Sequence, residues 1–303
     1  MERKIRMADI IGNKAAKNFS EGVPFANHGN YHVKGASNLD WGMKDRLSRI
    51  FNPETGKTVM LAFDHGYFMG PTSGLERLDI LIPKLANYAD CLMGTRGAIR
   101  SSVPPTFNKS IALRASSGSS VLQDDLSHES MVVDIEDAIR MNASCLAIQT
   151  FIGADGQKET IEQLNKAVNL GTRYSIPTMG VVAVGKEMER TSQFFLLATR
   201  MLAEFGASIV KTYYCDDFEK VAAACPVPLV VAGGKKIPEK DALSLAYNSI
   251  QGGAAGVDMG RNIFQSNFPE EMIQAVNKVV HEGYTDKEAY EFFLDLTNVG
   301  TKA

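Results

Sequence analysis

From Thr58 onward the chain repeats one pattern: a short continuous apolar run, a Gly-rich or polar loop, then an amphipathic stretch. Eight such runs occur: TVMLAFDHG from Thr58, DCLMGTRG from Asp90, SIALRASSG from Ser110, CLAIQTFIG from Cys145, PTMGVVAVG from Pro177, ASIVKTYY from Ala207, PLVVAGGKK from Pro228 and AGVDMGRN from Ala255. Their apolar residues are consecutive rather than alternating, the signature of parallel strands covered on both faces. Between and after them lie helical segments such as GLERLDILIPKLANYA, ETIEQLNKAVNLGTRY, SQFFLLATRMLAEFG, PEKDALSLAYNSI and PEEMIQAVNKVVHEG. Gly206 and Gly283 stand where C-caps belong, and Pro238 and Pro269 stand near helix starts.

Eight β-α units in register predict an α/β fold of the (β/α)8 TIM-barrel type over residues 41–303, with a helical C-terminal extension. A doubly wound sheet would place a Gly-rich dinucleotide turn after its first strand, and none follows here. WGMKDRLSRIF, from Trp41, reads as a helix ahead of the barrel. Residues 1–40, rich in Gly, Asn and Lys without sustained periodicity, predict an N-terminal arm that either stays mobile or packs on a neighbouring subunit.

The length of 303 residues with 45% hydrophobic content suits one barrel, which commonly takes about 250 residues before insertions. Thirty-two basic against thirty-five acidic residues leave a net charge of −3, and no Lys/Arg run is long enough to track a nucleic-acid backbone. No window reaches the roughly 18 apolar residues of a membrane span, and the N-terminus MERKIRMADIIGNKAAKNF lacks a signal-peptide core, so a cytoplasmic protein is expected. Cys91, Cys145, Cys215 and Cys225 form no C-x-x-C pair and read as buried reduced thiols. The histidines are too scattered for a zinc site: His28 and His32 lie in the arm, and His128 and His281 are isolated. No metal and no bound cofactor are expected.

A barrel builds its active site at the C-terminal ends of its strands. Here those ends carry Asp64 and His65, Arg96, Arg114, Phe151, Lys186, Lys211, Gly233 to Lys236, and Gly260 to Asn262. Lys211 closes the sixth run, in SIVKTYY. A lysine there, desolvated and near another cation, would have its pKa pulled below about 10.4 and become a nucleophilic amine. The alternative is a loop lysine paired with a carboxylate such as Asp216. The seventh and eighth ends, AGGKK and MGRNIF, combine glycines that admit an anion to the backbone with the charges of Lys235 and Arg261. Phosphate sites of such barrels sit after strands seven and eight; ordinary Gly turns are the competing reading. In FDHG, either Asp64 or His65 could serve as acid or base, or the Asp could cap a turn while the His packs.

The motifs FDHG, SIVKTYY, VVAGGKK and GVDMGRNIF, in this order over residues 45–280, resemble the DhnA-type class I aldolase family. The stretch LDWGMKDRLSRIFNPETGKTVMLAFDHGYFMGPTSGLERLDI and the segment GVDMGRNIFQS are similar to a branch that degrades the phosphorylated autoinducer-2 signal. The resemblance implies a Schiff-base lysine at Lys211, phosphate contacts from Gly233, Gly234, Lys235, Gly260 and Arg261, and a catalytic part for Asp64 or His65. It also implies a ring-shaped homo-oligomer, often a decamer. For that branch it further implies thiolysis of a phosphorylated 2,4-dione with coenzyme A as co-substrate, the alternative being aldol cleavage of a sugar phosphate such as fructose 1,6-bisphosphate. One position departs from the family: many aldolases carry a proton-shuttling tyrosine at the fourth strand end, where this chain has Phe151.

Overall fold

The strands form because their β-branched and apolar residues are buried on both faces: all five residues of β1, Thr58–Ala62, are buried, as are all four of Ile209–Thr212. The structure, a computed structural model, describes residues 22–24, 32–185 and 188–300. Strands run in chain order β1 Thr58–Ala62, β2 Cys91–Thr95, β3 Ser110–Arg114, β4 Ser116–Ser117, β5 Ser130–Met131, β6 Cys145–Ile152, β7 Thr178–Val184, β8 Ile209–Thr212, β9 Leu229–Ala232 and β10 Gly256–Met259. Eight of them close a parallel barrel in the order β1-β10-β9-β8-β7-β6-β3-β2, and these are the eight apolar runs of the sequence. The two extra strands, β4 and β5, make a small antiparallel ribbon at the mouth.

Alternation along each strand sorts the core. Val59, Leu61 and Phe63 face outward into one cluster with the helices, and Leu146, Ile148 and Ile152 into a second. Met60, Cys91, Met93, Ala112, Cys145, Ala147, Met179, Ile209 and Val230 fill the barrel itself. The helix Trp41–Ile50, capped by the Asp40 carboxylate accepting from Met43 N–H, lays Leu47 and Ile50 against this inner cluster. With Phe51 it closes the N-terminal end of the barrel.

The five helices read from the sequence form as Leu78–Ala86, Gln157–Tyr174, Ser192–Glu204, Glu239–Gln251 and Pro269–Glu282, the last beginning on Pro269 and capped by Gly283. Among the described residues, five short helices of four to seven residues follow strand ends besides. A further helix, Asp286–Gly300, forms the C-terminal extension and packs on the two before it. Most of the arm, residues 1–21 and 25–31, lies outside the described residues, as does Lys186. Residues 32–40, assigned to the arm on composition, pack on the barrel instead, with Val33 and Ala36 buried in the inner cluster and Lys34 Nζ donating to Ala222 O at 2.8 Å. Two apolar side chains in a Gly-rich stretch leave no periodicity to read. Among the described residues no helix is long and apolar enough to cross a membrane.

Candidate active site

On four barrel strands the inward positions turn from apolar to charged as the chain approaches the C-terminal mouth. On β8, Ile209 is followed two residues on by Lys211; on β10, Gly256 by Asp258; on β3, Ala112 by Arg114; past the end of β1, Ala62 by Asp64. Period-two alternation keeps each pair on one face of its strand. The charges therefore converge inside the mouth.

Lys211 Nζ lies 2.8 Å from Asp258 Oδ2 and 3.4 Å from the Met93 sulfur, with its side chain 11% exposed and that of Asp258 0%. Its partner is thus an inward carboxylate of the eighth barrel strand, not Asp216. Among the described residues no cation is in contact with its amine. Burial alone would lower the Lys211 pKa, but the carboxylates of Asp258 and Asp64 outweigh it and hold the ammonium above the ordinary lysine value. In the resting site Lys211 is charged, so a proton must leave it before the amine can attack a carbonyl.

The two carboxylates differ in kind. Asp64 is buried, which raises its pKa, but Arg114, His65 and Lys211 bring it below the usual carboxylate range. Arg114 Nη1 holds its Oδ2 at 3.1 Å. The same guanidinium donates through Nη2 to both Glu129 oxygens at 3.0 and 2.9 Å and through Nε to Ser116 O at 2.9 Å. Glu129 also accepts from Tyr67 Oη at 2.6 Å and from Ser116 Oγ at 2.7 Å. Asp64 is therefore a fixed anion. Asp258 has no such support: burial pushes its carboxyl up, only Lys211 pulls it down, and Oδ1 has no hydrogen-bond partner among the described residues. Two carboxylates beside one amine, driven in opposite directions, are a common arrangement for dividing acid and base tasks.

His65 packs edge-on against Phe264, with ring centroids 5.5 Å apart, and its Nδ1 lies 3.9 Å from Asp64 Oδ1, too far for a hydrogen bond. Burial lowers its pKa to about 4 despite Asp64, so the ring is neutral at neutral pH. The structure brings His65 to the mouth but does not orient it through Asp64.

The two Gly-rich loops meet. Asn262 donates to Gly233 O at 2.6 Å and accepts from Ile237 N–H at 2.9 Å, tying the β9 loop to the β10 loop. A side chain at Gly260 would lie 2.5 Å from Ala62 O and 2.8 Å from His65 Cε1, so only glycine fits. Gly234 has φ +71°, and a Cβ there would come 4.0 Å from the Arg190 guanidinium, which stacks over the Tyr213 ring. Lys235 is exposed, whereas Arg261 is half-buried with Nε lacking a partner among the described residues. Lys235 and Arg261 thus stand at the ends of the neighbouring strands β9 and β10. Arg96, by contrast, points away to Asp137 at 3.2 Å.

Phe151 is buried near the end of β6, on the same strand face as Cys145, Ala147 and Gln149. It borders a hollow of about 550 Å³ with Leu126, Gly185 and Met188. Among the tyrosines, Tyr67 is bound to Glu129 and shifted upward by burial, and Tyr214 stacks on Phe218. Sequence reasoning missed Asp258, Glu129 and Tyr67. An aspartate inside the apolar run GVDM was the available signal for the first. Glu129 stands beside a two-residue strand, too short to show a pattern.

The family model for DeoC/LacD family aldolases matches residues 58–266. A 3-hydroxy-5-phosphonooxypentane-2,4-dione thiolase of Yersinia enterocolitica is 53% identical over 289 residues, covering 95% of this chain and 99% of its own. The protein of the same name from Photorhabdus laumondii is 53% identical with the same coverage, and an uncharacterised aldolase of Pasteurella multocida is 52% identical over 290 residues. Among solved structures, an archaeal fructose 1,6-bisphosphate aldolase superposes with a TM-score of 0.71 at 22% identity, over 79% of this chain and 99% of that one, a likeness of fold. With a barrel of matching architecture, a lysine at its sixth strand end and relatives identical at half of all positions, the chain belongs to the DeoC/LacD aldolase family.

Proposed function

We propose that the chain is a thiolase that cleaves 3-hydroxy-5-phosphonooxypentane-2,4-dione with coenzyme A, giving acetyl-CoA and dihydroxyacetone phosphate, through an imine on Lys211. The observation that carries this reading is the ion pair of the buried Lys211 amine with Asp258, within electrostatic reach of Asp64, on a barrel whose seventh and eighth strand-end loops are tied together by Asn262. The match with relatives bearing the thiolase name supports it over 95% of the chain.

In this reading the loops hold the phosphate, and the C4 carbonyl beside the phosphate-bearing carbon condenses with Lys211. The coenzyme A thiolate adds to the C2 carbonyl. The tetrahedral adduct then collapses: the C2–C3 electron pair passes to C3 and is delocalised into the iminium as an enamine, and acetyl-CoA leaves. The proton given up by the thiol is made good at C3, and hydrolysis of the imine releases dihydroxyacetone phosphate. Aldol cleavage would instead require a base to deprotonate a substrate hydroxyl, and Phe151 offers no proton-accepting atom. A cytoplasmic location, the phosphorylated autoinducer-2 signal as the source of the dione, and assembly into a ring of subunits belong to the same proposal.

The test sets two assays side by side on the purified full chain. Acetyl-CoA should form from the dione and coenzyme A, at least about a hundredfold faster than triose phosphates form from fructose 1,6-bisphosphate. The reverse ratio overturns thiolysis in favour of aldol cleavage.

A further inference from the structure

The site leaves Asp258 without a stated task. Its side chain is fully buried on β10, its Oδ2 sits 2.8 Å from Lys211 Nζ, and neither oxygen has another donor among the described residues. A buried carboxylate with a single cationic partner is held at a cost in stability, because desolvation opposes the pair. Beneath it the barrel floor is apolar and rich in sulfur, with Met93 against Lys211 and the Cys91 and Cys145 thiols within electrostatic reach of Asp258. Among the described residues Nζ has no other carboxylate within ion-pair distance.

Resting on the Schiff-base reading of Lys211, we propose that Asp258 is the catalytic base and acid of imine formation: it takes the proton that frees the Lys211 amine and returns it to expel water. The balance is closed. The ammonium gives one proton to Asp258, and the neutral amine adds to the ketone. The proton on nitrogen passes to the new oxygen, making a neutral carbinolamine. The Asp258 carboxylic acid then protonates that hydroxyl, the C–O bond breaks, and water departs with the two protons the ammonium lost. An iminium remains, facing a carboxylate at the same distance as the original ammonium. Asp64 is less suited to this shuttle, because Arg114 holds it as an anion. Its part is to stabilise positive charge.

Imine cycling is read by exchange of the carbonyl oxygen of dihydroxyacetone phosphate with labelled water, on the full chain. Because the reactive state is a tautomer of the resting ion pair, wild-type exchange should be nearly flat between about pH 6.5 and 8.5. The charged groups facing Asp258 are Lys211 on β8, Asp64 after β1, Cys91 on β2 and Cys145 on β6, and both thiols are pushed up by burial, Cys91 to about 12, so neither titrates in that window. Asp258→Asn should slow exchange by about a hundredfold or more at pH 7 and make it climb with pH as solvent takes over deprotonation. Binding of dihydroxyacetone phosphate, measured by calorimetry, should change less than about threefold, since the described contact of Asp258 is with Lys211. Exchange in Asp258→Asn within threefold of wild type, or a wild-type rate rising tenfold per pH unit, overturns the proposal. The wild-type profile decides even if the variant does not fold. Complete absence of exchange in the wild type would instead defeat the Schiff-base reading beneath it.

Discussion

The two ends of the barrel interior are built from the same strands yet solve opposite problems. At the N-terminal end, Cys91, Cys145, Met179 and Ile209 meet Leu47, Ile50 and Phe51 in a dry plug. At the C-terminal end, residues on the same inward faces are Asp64, Arg114, Lys211 and Asp258, all less than one-tenth exposed. The plug owes its stability to burial of apolar surface, about 25 cal/mol per Å². The mouth holds ionised groups out of water, so it depends on each charge having a partner. One end stabilises the fold, and the other spends part of that stability on reactivity.

Three tests probe this contrast, the largest effect first. Arg114→Met strands Glu129 and Asp64 as buried anions and should cost about 4 kcal/mol in urea unfolding. Adding Glu129→Gln to that variant should recover part of the loss; no recovery would mean that the network is not held by charge pairing. Phe51→Ala, in the plug, should cost about 3 kcal/mol through cavity formation while leaving kcat/KM near wild type. A large fall in kcat/KM would show that the two ends are coupled.

The third concerns pH. His65 is held near pKa 4 in the fold against 6.5 in the unfolded chain, so the unfolded state binds the extra proton. Its stabilising contribution is present above pH 6.5 and is lost as pH falls toward 4. Its share of the fall in stability from pH 7 to pH 5 should be about 2 kcal/mol, and His65→Gln should remove that share from a urea-melt series. An unchanged pH slope in the variant would place the ring in water.

What could be read in the chain before folding follows the same division. The strands of the barrel were legible because burial on both faces writes a continuous apolar run into each one. The loops at Gly233–Gly234 and Gly260–Arg261 were legible because close backbone approach demands glycine. The partner of Lys211 was not, since Asp258 lies 47 residues away and meets it only through barrel closure. For the same reason the direction of the Lys211 shift came out reversed: a lowered pKa was expected of a desolvated lysine near another cation, whereas the fold sets it against the carboxylates of Asp258 and Asp64. Glu129 reaches the site through the β4–β5 ribbon, whose two-residue strands carry no periodicity.

The central claim is that Lys211 is the amine that binds substrate covalently. Borohydride reduction of the full chain in the presence of dihydroxyacetone phosphate, followed by peptide mass mapping, tests it most directly. The account predicts one reduced adduct, on the peptide carrying Lys211, and none in Lys211→Met. An adduct on Lys235 or Lys236, or no adduct in the wild type, would contradict it.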